Sequence, residues 1–255
     1  MTLALCLKAL SLAFLFMLLV PLGANAVPID FSGMWVPAEQ KLVIRPDMNN
    51  PKYTDKSQQE IDRLKTDFDL KTDDPGRFCL PNGMPWIVAT RAPFSVEILQ
   101  QPQQIYMLYE AHSDVRRIFM DGRTMPTDFT PTQNGYSTAK WDGDILLVET
   151  TGLSSRGPYV LLKRSEKTKI HERWAMIKHP KYGQAIEINM LMEDFENYAE
   201  PRPAYQLLVR APVGTIISEY GCAGSTFWDP FIAKRVKEVE AKKAASLPAS
   251  TFLSH

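Results

Sequence analysis

Glu110 and the pair Arg116-Arg117 stand on either side of a short connection, His112-Ser113, and a second charged cluster, His171-Glu172-Arg173, lies further along. Both sit in runs rich in aromatic and β-branched residues, which is strand composition. A carboxylate brought beside a guanidinium inside a sheet can do acid-base work: Glu110 accepting a proton, His171 as a second acid-base group, Arg117 holding a developing oxyanion. The same pairing also serves structure alone, because a buried charge without a partner is costly. Side chains alternate along a strand, so Arg116 shares a face with Ile118 and Met120, while Arg117 shares one with Val115 and Phe119. Both faces therefore mix charge with apolar surface, as expected where one face lines a cavity with a few polar groups.

Glu110, His171 and Arg117 form the candidate catalytic set, and Trp35, Tyr109, Arg116, Trp141, Glu149, Arg173 and Trp174 the candidate ligand-binding set. His112, His179 and His255 fall in turns or in the tail and carry less weight. No H-x-H or H-E-x-x-H spacing and no carboxylate-rich loop occurs, so no metal site is expected. Gly135-Tyr136-Ser137 lacks the G-x-S-x-G elbow, and no glycine-rich phosphate or dinucleotide loop is present. Kinase, dinucleotide-binding and α/β-hydrolase chemistry are set aside, and no cofactor is expected.

The elements that must position these residues are strands. Runs near 86–90, 94–100, 104–111, 114–120, 137–141, 144–150, 158–164, 168–178, 185–192, 204–210 and 214–221 read as strands after an opening β-like run at Gly33-Met34-Trp35. Connections such as Glu166-Lys167 and Trp141-Asp142-Gly143-Asp144 are of hairpin size, and Asp142-Gly143 is a type I′ signal. The fold class expected is all-β: an antiparallel meander that closes into a lipocalin-like β-barrel to hide its edges, with a short N-terminal helix and a C-terminal helix. The G-x-W at Gly33–Trp35 supports that analogy, since such a tryptophan plugs the closed end of lipocalin-like barrels.

Between the opening run and the meander, residues 54–85 read as helix and loop. Thr54 or Ser57 can cap the helix, Ser57-x-x-Glu60 has capping-box spacing, and Ile61, Leu64 and Phe68 share one face. The following Asp73-Asp74-Pro75-Gly76 stops it, and the Pro- and Gly-rich stretch from Cys79 to Pro85 reads as extended loop. At the other end, Asp229 as cap and Pro230 at the first position start a charged helix over 229–245, followed by a disordered tail over 247–255.

Lys8, the apolar stretch from Ala9 to Val20 and the small-x-small Ala24-Asn25-Ala26 read as a signal peptide over residues 1–26, cleaved after Ala26. The stretch is about 12 residues, where a membrane span needs roughly 20. The expected location is the bacterial periplasm or outside the cell. Residues 27–246 then form a single domain with no membrane span. Cys6 leaves with the leader, and Cys79 and Cys222 remain in a disulfide-permissive compartment. Their bridge would close a long loop, worth on the order of 4 kcal/mol in the chain-entropy model. The 29 basic and 29 acidic residues balance, which argues against nucleic acid as a partner, because phosphate recognition needs clustered Lys and Arg.

Four segments carry a resemblance. Asp74-Pro75 with Arg77, Cys79, Pro81, Gly83 and Pro85, Ile105 with Leu108-Tyr109-Glu110, Val115 to Ile118 with Asp121 to Arg123, and Gly135 to Gly152 together resemble a large, mostly uncharacterised group of exported bacterial proteins. The likeness spans about residues 73–175, with a weaker echo at Glu219-Tyr220-x-Cys222. It marks a family and implies export, and it implies no activity. After Gly152 the group continues with an Asn-Asp and a tryptophan-containing loop bearing histidines. This chain has Ser154-Ser155-Arg156-Gly157-Pro158 instead, which implies a different ligand if that loop bears on ligand choice.

The function expected from these observations is binding of a small apolar or aromatic molecule by an exported barrel. A cofactor-free isomerase, lyase or hydrolase using Glu110, His171 and an Arg is the alternative, and an envelope interaction module is a third.

Overall fold

The computed structural model describes residues 29–38, 51–67, 81, 83–89, 94–155, 163–220 and 225–246. Nine strands form a closed barrel in chain order: β1 (Gly33–Pro37), β2 (Val96–Gln101), β3 (Gln104–Tyr109), β4 (Val115–Phe119), β5 (Tyr136–Asp142), β6 (Ile145–Thr151), β7 (Lys169–His179), β8 (Gly183–Glu193) and β9 (Arg202–Arg210), with β9 pairing back onto β1. Two helices accompany them, α1 (Asp55–Asp67) and α2 (Ser225–Ser246). The all-β barrel with flanking helices is thus the architecture of the chain. No described helix is long and apolar enough to cross a membrane.

A ring with an odd number of strands cannot alternate direction all the way round, so one neighbouring pair must run parallel. That pair is β4 and β5, joined only at Ile118↔Ser137 and Phe119↔Thr138. Here the chain departs from a pure antiparallel meander. Residues 120–135 form a crossover arm that returns outside the sheet. Its end is tied down by Thr132 N–H donating to Gly152 O (3.1 Å) and by Ser154 N–H donating to Thr132 O (2.8 Å). Gly152 allows this: its φ is +62°, and a Cβ there would lie 2.8 Å from both Met125 Sδ and a Phe129 ring carbon.

Alternation along the strands fills the bore. Met107 and Tyr109 of β3, Ile118 of β4, Leu146 and Val148 of β6, Ile170 and Trp174 of β7, and Ile188, Met190 and Met192 of β8 are buried in one cluster with Trp35. Each large apolar side chain so buried contributes about 1.5–3 kcal/mol. At one end Phe31 stacks on Trp141 (5.8 Å) and meets Trp174 edge-on (5.7 Å). The Trp35 indole donates to Phe31 O at 2.8 Å, and the Arg210 guanidinium lies 3.8 Å from the centre of its ring.

Several boundaries correct the sequence reading. Residues 86–90 were expected as a strand, yet Met84 to Val88 form a turn whose side chains, with Ala89, are buried among the barrel residues. The apolar run is real, but a segment plugging the bore needs no ladder. Residues 163 and 164 carry no strand, and the rest of 158–164 lies outside the described residues. Residues 214–220 are irregular rather than extended into a sheet, because β1 already occupies the free edge of β9. Of the two loop residues at Gly143-Asp144, only Gly143 has positive φ, which matches a type II′ turn and not the expected I′.

Thr54, not Ser57, caps α1: Thr54 Oγ1 accepts from Ser57 N at 3.4 Å, while the Ser57 hydroxyl is buried and donates to Asn197 Oδ1 at 2.8 Å. The second helix begins at Ser225, ahead of the expected Asp229, with Pro230 inside it, and none of its described side chains is buried. The expected leader, tail, Cys79 and Cys222 lie outside the described residues.

Candidate functional site

Arg116 and Glu172 form a charge pair in the bore. Arg116 Nη1 donates to Glu172 Oε2 at 3.0 Å and Nη2 to Oε1 at 2.5 Å, a two-bonded geometry that suits a planar guanidinium. Nε and Nη2 also reach Ser137 Oγ (3.3 and 3.2 Å), and Nη2 reaches Thr150 Oγ1 (3.0 Å). Trp174 Nε1 donates to Glu172 Oε2 at 3.0 Å. Burial alone would lower the Arg116 pKa, but the Glu172 carboxylate outweighs it and the net direction is upward. Burial also pushes the Tyr109 hydroxyl well above its usual range, and that hydroxyl donates to Met107 Sδ at 3.2 Å. Every charged atom in this cluster is met by protein, so the pair is sealed and offers no free donor to a substrate.

The three residues expected to form a catalytic set do not converge. Glu110 folds back on its own hairpin, its carboxylate accepting from Ser95 N at 2.9 Å. Arg117 is exposed on the outer face of β4, with its guanidinium 5.7 Å from the centre of the Tyr106 ring. His171 lies on the outer face of β7. The partner of the inward arginine is therefore Glu172, three strands beyond the hairpin, and not Glu110. Sequence proximity favoured Glu110, but it lies just past the end of β3, whose last residue Tyr109 points into the bore, and its carboxylate turns back to Ser95.

A different group of expected residues does meet. The outer faces of β5 to β8 and the base of the crossover arm enclose a groove of about 760 Å³ lined by Lys140, Leu147, Glu149, His171, Arg173 and Leu191, with Arg123 in its wall. The ladder places these side chains in two rows across the sheet. One row reads Lys140, Leu147, Arg173, Asn189, and the next reads Thr138, Glu149, His171, Leu191. His171 Nδ1 lies 3.6 Å from Glu149 Oε2, and Nε2 lies 3.5 Å from Glu193 Oε2. Lys140 and Arg173 make no ion pair or hydrogen bond among the described residues, and both are exposed. Arg123 is neutralised by Asp121, whose carboxyl it holds below the usual range. The groove thus has two unpaired cations flanking Leu147 in one row and Glu149 beside His171 in the next, with Glu193 on the far side of the histidine, outside the lining.

The remaining expected ligand-binding residues are dispersed. Trp35 and Trp174 are core, Tyr109 and Arg116 belong to the sealed cluster, and Trp141 stacks on Phe31 at the barrel's end. Glu149 and Arg173 line the groove. Among the described residues no three His, Cys, Asp or Glu are grouped to hold a metal ion.

Sequence reasoning passed over three features. Arg164 is buried, donates from Nη1 to Met84 O (2.5 Å) and Gln133 O (2.9 Å) and from Nη2 to Gln133 Oε1, and so pins the plug. Burial pushes its pKa down to about 10. Lys140 was hidden because its significance depends on a cross-strand register that no single strand shows. His112 and Ser113 have φ of 60° and 48°, a left-handed pair that no turn-type rule for those residue types foretells.

No protein-family model matches this chain, and no curated protein matches it.

Proposed function

We propose that this chain is an exported barrel that binds a small molecule with an apolar or aromatic body and a carboxylate, held in the outer groove and not in the bore. The observation that carries this is the unpaired Lys140 and Arg173 on either side of Leu147. Two cations left without a counter-ion beside an apolar floor suit an anion with a hydrocarbon tail. The bore is a poor host, because Trp35, Arg116, Trp174, Met107 and Ile118 fill it. An acid-base enzyme is the weaker reading. A general base needs one ring nitrogen free toward its substrate, and both nitrogens of His171 face carboxylates. Export rests on the leader-like residues 1–26 and on the resemblance to exported proteins.

Titration of isotope-labelled protein with phenylbutyrate tests the reading. Amide shifts confined to β5–β8 are expected, and Lys140→Gln with Arg173→Gln should weaken binding at least tenfold. Unchanged affinity in that double variant, or shifts centred on the bore, would overturn it.

A further inference from the structure

We infer that the groove selects a zwitterion, one whose anionic and ammonium heads stand about 7 Å apart on a short apolar linker, as in an ω-amino acid or a dipeptide. This rests on the proposed binding groove and adds the second charge. Lys140 and Arg173 in one row face Glu149 in the adjacent row, with Glu193 beyond it, yet no ion pair joins the rows. Opposite charges on neighbouring rows of one sheet face ordinarily neutralise one another through diagonal pairs. His171 stands between Glu149 and Glu193, 3.6 Å from one carboxylate and 3.5 Å from the other. The result is a positive row and, two residues along the strands at a spacing of about 7 Å, Glu149 in the next row, with Glu193 a row further on opposite Lys169. Leu147 and Leu191 supply apolar surface, one in each row. A carboxylate between Lys140 and Arg173 and an ammonium against Glu149, on the side toward Glu193, would satisfy both rows at once, and a linker between them would lie over the leucines. Because all four charges are exposed or half-buried, neither head must be dragged into a dry site, and selectivity comes from spacing.

Calorimetric titration of the whole chain with δ-aminovalerate, valerate and pentylamine separates the possibilities. δ-Aminovalerate should bind at least tenfold more tightly than either singly charged analogue. In Glu149→Gln with Glu193→Gln that preference over valerate should vanish, and circular dichroism will show whether the fold is kept. If valerate binds as tightly as δ-aminovalerate, the zwitterion inference falls while the anion-binding groove stands. If none of the three binds, both fall. A preference for the zwitterion that survives in the double variant also overturns the inference, since the carboxylates would not then be its source.

Discussion

Arg116 and Glu172 meet in the barrel bore through two parallel hydrogen bonds, each side chain essentially inaccessible to water. Breaking such a pair is far costlier than never having had it, because one partner left alone is a desolvated charge. Arg116→Met should cost about 3–5 kcal/mol in urea unfolding, and Arg116→Met with Glu172→Leu should recover most of that. Additive losses in the double variant would show that Ser137, Thr150 and Trp174 matter more to the site than the pair.

Gln206 stands in β9 with 1% of its surface exposed, and neither its amide oxygen nor its nitrogen has a partner among the described residues. A buried amide left unbonded costs about 1–3 kcal/mol. Gln206→Leu should therefore raise the unfolding free energy by about 1 kcal/mol, read as a higher urea midpoint at unchanged slope. A drop in the midpoint would mean that the amide is bonded in solution.

Gly33 has a φ of +128°, and a Cβ there would sit 2.2 Å from Arg210 Nη1, the atom that donates to Ser32 O at 2.9 Å while the guanidinium covers Trp35. The arginine can move aside, but the backbone strain cannot be avoided. Gly33→Ala should cost about 1–3 kcal/mol, and Arg210→Met less, about 0.5–1 kcal/mol for the lost ring contact. Equal costs for the two would place the need for glycine in the contact and not in the backbone.

The barrel was legible because alternation is a strong local signal. The strand pattern and the tight hairpins reveal closure, and eight of the strands fall close to where period-two runs place them. The candidate site was only half legible. Glu149, His171 and Arg173 stand out as charges within strands, but their assembly with Lys140 depends on register across β5, β6 and β7. Glu110 misled because closeness along the chain says nothing about face: it falls just past the end of β3, and its carboxylate is taken up by Ser95 N. Residues 86–90 misled for the opposite reason: burial as a plug and burial in a sheet select the same apolar residues.

Asp114 supplies the pH prediction. Burial raises its carboxyl above the usual range, only partly opposed by hydrogen bonds from Asn134 Nδ2 (2.8 Å) and Val115 N (2.9 Å). Among the described residues its Oδ2 has no hydrogen-bond partner, and the nearby His112 is itself held low by burial, so it brings little positive charge at neutral pH. A carboxyl with a raised folded pKa binds its proton more tightly in the native state than in the unfolded one. Stability therefore falls as pH climbs from about 3.9 through the folded value, and the penalty persists at neutral pH. Asp114→Asn keeps an oxygen for Val115 and Asn134 and cannot ionise. It should match the wild type in acid and become the more stable protein, by about 1 kcal/mol, as pH rises to neutrality. His112 works in the other direction, since a depressed histidine gives stability above about pH 6.5 that is lost on acidification. Urea unfolding across the acid-to-neutral range separates the two: the gain from Asp114→Asn should appear at the carboxylate end of that range. A gain that is flat with pH would assign it to packing and not to the charge.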